Sequence, residues 1–140
     1  MKQFFKSFYQ WLFTIPEIFY PFAQEIEGKW VRGKRAHQKA LQEGFDLLGE
    51  GRFGFKLTLY RGAWHIVGSV VFITMVTLIA DRLLGSQTAL YVLLGAAIIA
   101  LCFQEFVVQA KQLNQSTRKA VFDVFTWVLP VAVYVAFLIS

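Results

Sequence analysis

Residues 62–80 read GAWHIVGSVVFITMVTLIA, a stretch with no Asp, Glu, Lys or Arg. As an α-helix it reaches about 28 Å, close to the hydrocarbon thickness of a bilayer. His65 is its one titratable group, and Asp81-Arg82 closes it. The pattern then repeats. Leu83 to Gln104 holds 22 residues without a charge, led in by the turn residues Gly85-Ser86-Gln87. A third run, Ala120 to Ile139, is interrupted only by Asp123. Three such runs with short connections predict three transmembrane helices, at about 62–81, 88–110 and 120–139. The fold class expected is an all-α membrane protein.

Composition points the same way. The chain has 140 residues, 56% of them hydrophobic and 16% charged, with a mean hydropathy of +0.50. A water-soluble domain of this size cannot hide so much apolar surface. An ordinary soluble enzyme, a disordered tail and a disulfide scaffold are therefore excluded. Cys102 is the single cysteine and sits among Ala100, Leu101 and Phe103, so it reads as a packing residue. The net charge of +5 does not indicate nucleic acid, because the basic residues are spread thinly rather than clustered with aromatics.

Upstream of the first run lie two further segments. Residues 1–22 form an arm that reads as an amphipathic helix lying in the membrane interface. Lys2, Gln3, Lys6, Ser7, Gln10, Thr14 and Glu17 share one side; Phe4, Phe5, Phe8, Trp11, Leu12, Ile15, Ile18 and Phe19 fill the other. Surface anchoring is expected from Lys2, Phe4, Phe5, Lys6, Phe8, Trp11, Leu12 and Ile15. Pro21-Phe22-Ala23 is a poor signal-peptide cleavage site, so Met1 is expected to remain.

Residues 23–61 read as a short cytoplasmic segment, helical or irregular. A helix is expected from Ala36 to Leu48, with Leu41, Phe45 and Leu48 on one stripe. Phe53, Phe55, Leu57 and Leu59 alternate with other residues at the period of a strand, yet no second strand is evident to pair with it. The stretch is expected to lie at the interface or to lead into the first span. The glycines at 49, 51 and 54 lack the Lys-Ser/Thr of a phosphate loop. His37 reads as a surface residue.

Side-chain chemistry within the spans is sparse. Gly95, Ala96 and Ala100 give the second span a small-residue packing face, and Pro130 is expected to kink the third. His65, Glu105 and Asp123 each lie about one helical turn inside the same boundary. Buried ionisable groups are costly and tend to pair or to face a cavity, so these three are the candidate catalytic or relay residues. Most simply they form a structural polar cluster. Glu105, Gln109, Gln112 and Ser116 recur on one face, and Lys119 stands four residues before Asp123, within pairing distance. No Ser-His-Asp, HExxH or paired-cysteine signature occurs, and no metal or cofactor is expected.

A surface helix followed by three spans, with acids near one face, is similar in layout to the small prokaryotic diacylglycerol and undecaprenol kinases. Those enzymes carry a Glu, an Asn and a second Glu at the end of the second span. Here the stretch from Glu105 to Lys111 reads EFVVQAK, with neither the Asn nor the second Glu. No residue role is carried over.

Three functional readings follow. The leading one is a non-catalytic membrane subunit, anchor or scaffold, with the bilayer and a membrane protein or a second copy as partners. The second is a small enzyme acting on lipid headgroups through His65, Glu105 and Asp123. The third is an oligomeric channel or transporter, disfavoured because the spans offer little beyond Thr74, Thr77 and Thr88 for a polar lining. Ten of the fourteen Lys/Arg precede residue 62, one lies in the first loop, three lie in the second, and none follows the third span. The positive-inside rule then places the N-terminus in the cytoplasm and the C-terminus outside, the membrane being most simply a prokaryotic inner membrane. A periplasm-dependent reporter fused after Ser140 is expected to be active, and a cytoplasm-dependent one silent; the reverse pattern inverts the topology.

Overall fold

The charge-free runs form three long helices in the computed structural model, which describes residues 22–43, 51–112 and 114–140. Spans of Gly54–Leu84, Gln87–Gln109 and Thr117–Ile139 are each long and apolar enough to cross a membrane. The chain divides into two compact units. Among the described residues the first holds 22–43 and 51–61, and the second holds 62–112 and 114–140. The surface helix expected over residues 2–19 lies outside the described residues.

The first unit departs from the all-α expectation. Strands β1 (Ala23–Ile26) and β2 (Lys29–Arg32) form an antiparallel hairpin with Ala23 opposite Arg32 and Ile26 opposite Lys29. Its two-residue turn, Glu27-Gly28, has φ of +53° and +71°. Two positive φ values give the turn whose twist matches that of the flanking strands. Gly33 (φ +76°) donates to Phe22 O at 2.7 Å and accepts from His37 N at 3.1 Å, so one residue closes the hairpin and starts the next helix. That helix, α1 (Lys34–Glu43), buries Ala36 and Ala40 and packs on both strands. His37 is half-buried, its ring 5.7 Å from that of Phe22, rather than on the surface. The residues after Glu43 that were expected to extend this helix to Leu48 lie outside the described ones.

Helix α2 (Gly54–Ile79) begins within this unit, eight residues before the charge-free run. The alternation over residues 53–59, expected as a lead-in to the first span, runs from a turn at Phe53 into this helix. Phe55 and Leu59 are exposed while Leu57 is buried. Glu25 Oε2 accepts from Phe53 N at 3.0 Å, which holds the start of α2 to β1. Gly51 (φ +78°) permits this approach: a Cβ there would stand 2.8 Å from that carboxylate oxygen. Arg61 is buried and donates to Ala23 O at 2.8 Å and Gln24 Oε1 at 3.1 Å.

In the second unit α2 ends in a π-helical turn, Ala80–Leu84. Gly85 (φ +57°) reverses the chain, and Ser86 Oγ accepts from Ala89 N at 3.2 Å to cap α3 (Gln87–Phe103). Helix α3 continues through a second π-helical stretch, Gln104–Gln109, and a last turn, Ala110–Gln112. Ser116 then caps α4 (Thr117–Ile139). Ile73, Val76, Ala80, Leu90, Leu94 and Val131 form the buried apolar cluster among these elements.

Two glycines of α2 face aromatic side chains of α4. A Cβ on Gly62 would stand 2.9 Å from Phe122 Cζ, and one on Gly68 would stand 3.1 Å from the Trp127 ring. Small residues allow backbones to come together where burial from water no longer drives association. The same seam carries hydrogen bonds. Ser69 Oγ donates to Trp127 O at 2.7 Å, and Thr77 and Tyr134 hydroxyls lie 2.9 Å apart. Pro130, inside α4, removes the donor that would reach Thr126 O. The expected packing face of α3 behaves differently: Ala96 and Ala100 are exposed, and a Cβ on Gly95 would meet nothing within 4 Å. Gly62→Leu is therefore expected to lower stability by about 1–3 kcal/mol through overpacking, whereas Gly95→Ala is expected to leave it unchanged. Unfolding in mixed detergent followed by circular dichroism measures both.

Candidate functional site

Polar side chains are scarce in the second unit, and six of them are buried together. Glu105, Gln109, Gln115, Lys119, Asp123 and Thr126 are each no more than 7% exposed. Their placement follows from local geometry. Glu105 and Gln109 fall in the π-helical stretch, where wider winding keeps residues four apart nearly in line. Asn114 adopts φ +48°, a left-handed conformation that Asn tolerates, and the chain turns back at that point. Gln115 N then donates to Gln109 O at 3.4 Å. Lys119 and Asp123 follow at helical spacing on α4.

The hydrogen bonds form a continuous chain. Gln109 Nε2 donates to Glu105 Oε1 at 2.7 Å, and Gln115 Nε2 donates to Glu105 Oε2 at 2.6 Å. Gln115 Oε1 accepts from Lys119 Nζ at 3.2 Å. Lys119 also donates to Asp123 Oδ2. The other carboxylate oxygen, Asp123 Oδ1, is 3.4 Å from His65 Nδ1. His65 Nδ1 also lies 3.2 Å from Thr126 Oγ1. The network thus ties α2, the end of α3 and the start of α4 to one another.

The three candidates read from the sequence are brought into this one network. His65 and Asp123 are neighbours. Glu105 is linked to them through Gln115 and Lys119, and its carboxyl also lies within reach of that of Asp123. Each carboxylate oxygen of Glu105 and Asp123 faces a donor or an imidazole nitrogen of the chain itself. Among the described residues no group of three His, Cys, Asp or Glu is gathered so as to hold a metal ion. The Lys119–Asp123 pair forms as its spacing predicts. Gln109 joins as expected, Ser116 instead caps α4, and the Gln112 side chain lies outside the described residues. Sequence reasoning missed Gln115 and Thr126. Gln115 lies in a connection without periodicity, and Thr126 reads as an ordinary residue of an apolar run.

Comparison with protein-family models, curated proteins and solved structures finds no match for this chain.

A buried ion pair is weak in net terms, yet removing one partner strands a charge at a cost of about 3–5 kcal/mol. Asp123→Leu is expected to destabilise the protein by that amount because it removes the carboxylate that the buried Lys119 pairs with. Adding Lys119→Met to Asp123→Leu is expected to restore most of the loss, since two apolar residues remove both charges. Unfolding curves in mixed detergent give the comparison; a double variant no better than the single one would deny Lys119 its role as the stranded charge.

Proposed function

We propose that this chain is a non-catalytic integral membrane protein, acting as a subunit, anchor or scaffold of a larger membrane assembly or of a homo-oligomer. The observation that carries this reading is the internal use of the intramembrane carboxylates. General acid–base chemistry needs a carboxyl or imidazole within hydrogen-bond reach of a substrate atom. Glu105 and Asp123 are enclosed, and their oxygens face Gln109, Gln115, Lys119 and His65. Such a network holds three helices in one arrangement, as a scaffold requires.

Helix α3 supports an assembly role. Leu90 and Leu94 face the apolar cluster, while Val92, Ile99 and Phe103 point outward beside the open Ala96 and Ala100. On this reading the surface helix of residues 2–19 adds an interfacial anchor, and the protein sits in a prokaryotic inner membrane with its N-terminus in the cytoplasm and its C-terminus outside.

The nearness of His65 to Asp123 favours a second reading, an enzyme acting on lipid headgroups, because an imidazole beside a carboxylate is a general base held in orientation. Isolation of the tagged protein from native membranes in mild detergent separates the two. Scaffolding predicts a partner or further copies at fixed stoichiometry, equally retained by Glu105→Gln and His65→Gln. A bare monomer whose lipid turnover disappears in His65→Gln while the fold persists would favour the enzyme and reject the scaffold.

A further inference from the structure

The first unit carries a concentration of positive charge that the scaffold reading does not use. Its described residues include eight Lys/Arg against three Glu. Lys29, Arg32, Lys34, Arg35, Arg52 and Lys56 are all exposed. Of the acids, Glu43 pairs with Lys39 at 3.5 Å, Glu27 stands in the hairpin turn, and Glu25, opposite Trp30 in the hairpin, accepts from the Phe53 amide.

Two of these cations are set against aromatic rings. Side chains two apart on a strand share a face, so Trp30 and Arg32 lie on the same side of β2. Trp30 packs edge-on to Phe53 and Tyr60, with ring centroids 5.8 and 5.4 Å away. The Arg32 guanidinium lies 5.9 Å from the Trp30 ring centre and 5.6 Å from that of Tyr60. Arg52 lies 5.4 Å from the Phe53 ring. Ring faces hold a cation without using its N–H donors. Trp30 Nε1, in the same cluster, is enclosed and has no acceptor among the described residues. The cluster therefore sets two guanidinium groups on large aromatic side chains, with the one carboxylate among them, Glu25, committed to the Phe53 amide.

Its position along α2 indicates the partner. Tyr60 and Lys56 stand two and six residues before the charge-free run that begins at Gly62, about 3 and 9 Å along the helix axis. Headgroups begin at that depth when the run crosses a bilayer. Trp and Tyr favour this zone, and basic residues there gain from anionic lipid.

We infer that the cluster of Arg32, Arg52, Trp30 and Tyr60 is a binding site for the phosphate headgroup of anionic phospholipid. The guanidinium groups donate to phosphate oxygens, and the rings fix the guanidinium groups and occupy the interface. This rests on membrane crossing by α2 and is independent of the scaffold reading, since a monomer would bind lipid equally.

The test uses the full chain in mild uncharged detergent, titrated by native mass spectrometry with phosphatidylglycerol, phosphatidylcholine and water-soluble glycerol phosphate. Phosphatidylglycerol is expected to bind more tightly than the other two. Arg32→Ala is expected to weaken it about fivefold, and Arg32→Ala with Arg52→Ala about 25-fold. Arg32→Lys should retain more affinity than Arg32→Ala, and Lys111→Ala with Arg118→Ala should change nothing. Unaltered circular dichroism confirms that each variant is folded. Equal affinity for the two lipids, loss confined to the Lys111/Arg118 variant, or glycerol phosphate binding as tightly as lipid would each overturn the proposal.

Discussion

The pairing of Lys119 with Asp123 is the interaction on which the arrangement of the helices depends. Placing either charge alone among apolar helices would cost several kcal/mol. Once both are present, every remaining donor and acceptor in their surroundings needs a partner. Gln115 meets the second need of Lys119, and His65 that of Asp123. Gln115 then brings Glu105, and Glu105 brings Gln109. One helix contributes the ion pair, yet satisfying it draws in residues from the other two. An apolar seam can slide or rotate with little penalty, whereas this chain of bonds accepts a single register.

The seam between α2 and α4 is built to the same register by different means. Gly62 and Gly68 admit the rings of Phe122 and Trp127, and Ser69 and Thr77 bond across at intervals farther along. Lipid offers little reward for burying apolar area, so close approach and hydrogen bonding supply what a water-driven core supplies in a soluble protein. Helix α3 packs on the others through Leu90, Leu94 and its π-helical end.

Much of the second unit was legible in the sequence because the signals were coarse and strong. Charge-free runs located the second and third spans to within a few residues and the first with its start eight residues late, and helical spacing gave the Lys119–Asp123 pair. Convergence of His65, Glu105 and Asp123 was legible only as shared depth. Gln115, which links Glu105 to Lys119, has its position set by the Asn114 turn and carries no periodic mark. The hairpin was missed for a comparable reason: Glu27-Gly28 is a weaker turn signal than Asn-Gly or Asp-Gly, and four-residue strands leave little alternation to see. The alternation at residues 53–59, read as a lead-in to the first span, misleads in the opposite direction. Period-two hydrophobicity argues for a strand when apolar residues must avoid water. At the threshold of a membrane helix, Phe55 and Leu59 can face outward without penalty, and the pattern loses its meaning.

The corner between α2 and α3 bears on how the protein reaches its place. Only Gly85 and Ser86 separate the helical turn of Ala80–Leu84 from Gln87, so the two spans are joined as a close hairpin. The charges at that corner, Asp81 and Arg82, are adjacent, 3.9 Å apart and opposite in sign. An elementary charge moved across a membrane potential gains or loses about 2.3 kcal/mol per 100 mV. On the proposed topology this corner is the segment carried through, and its net charge is zero. Translocation of the hairpin is then indifferent to the energised state of the membrane, and insertion is driven by the two apolar spans entering together.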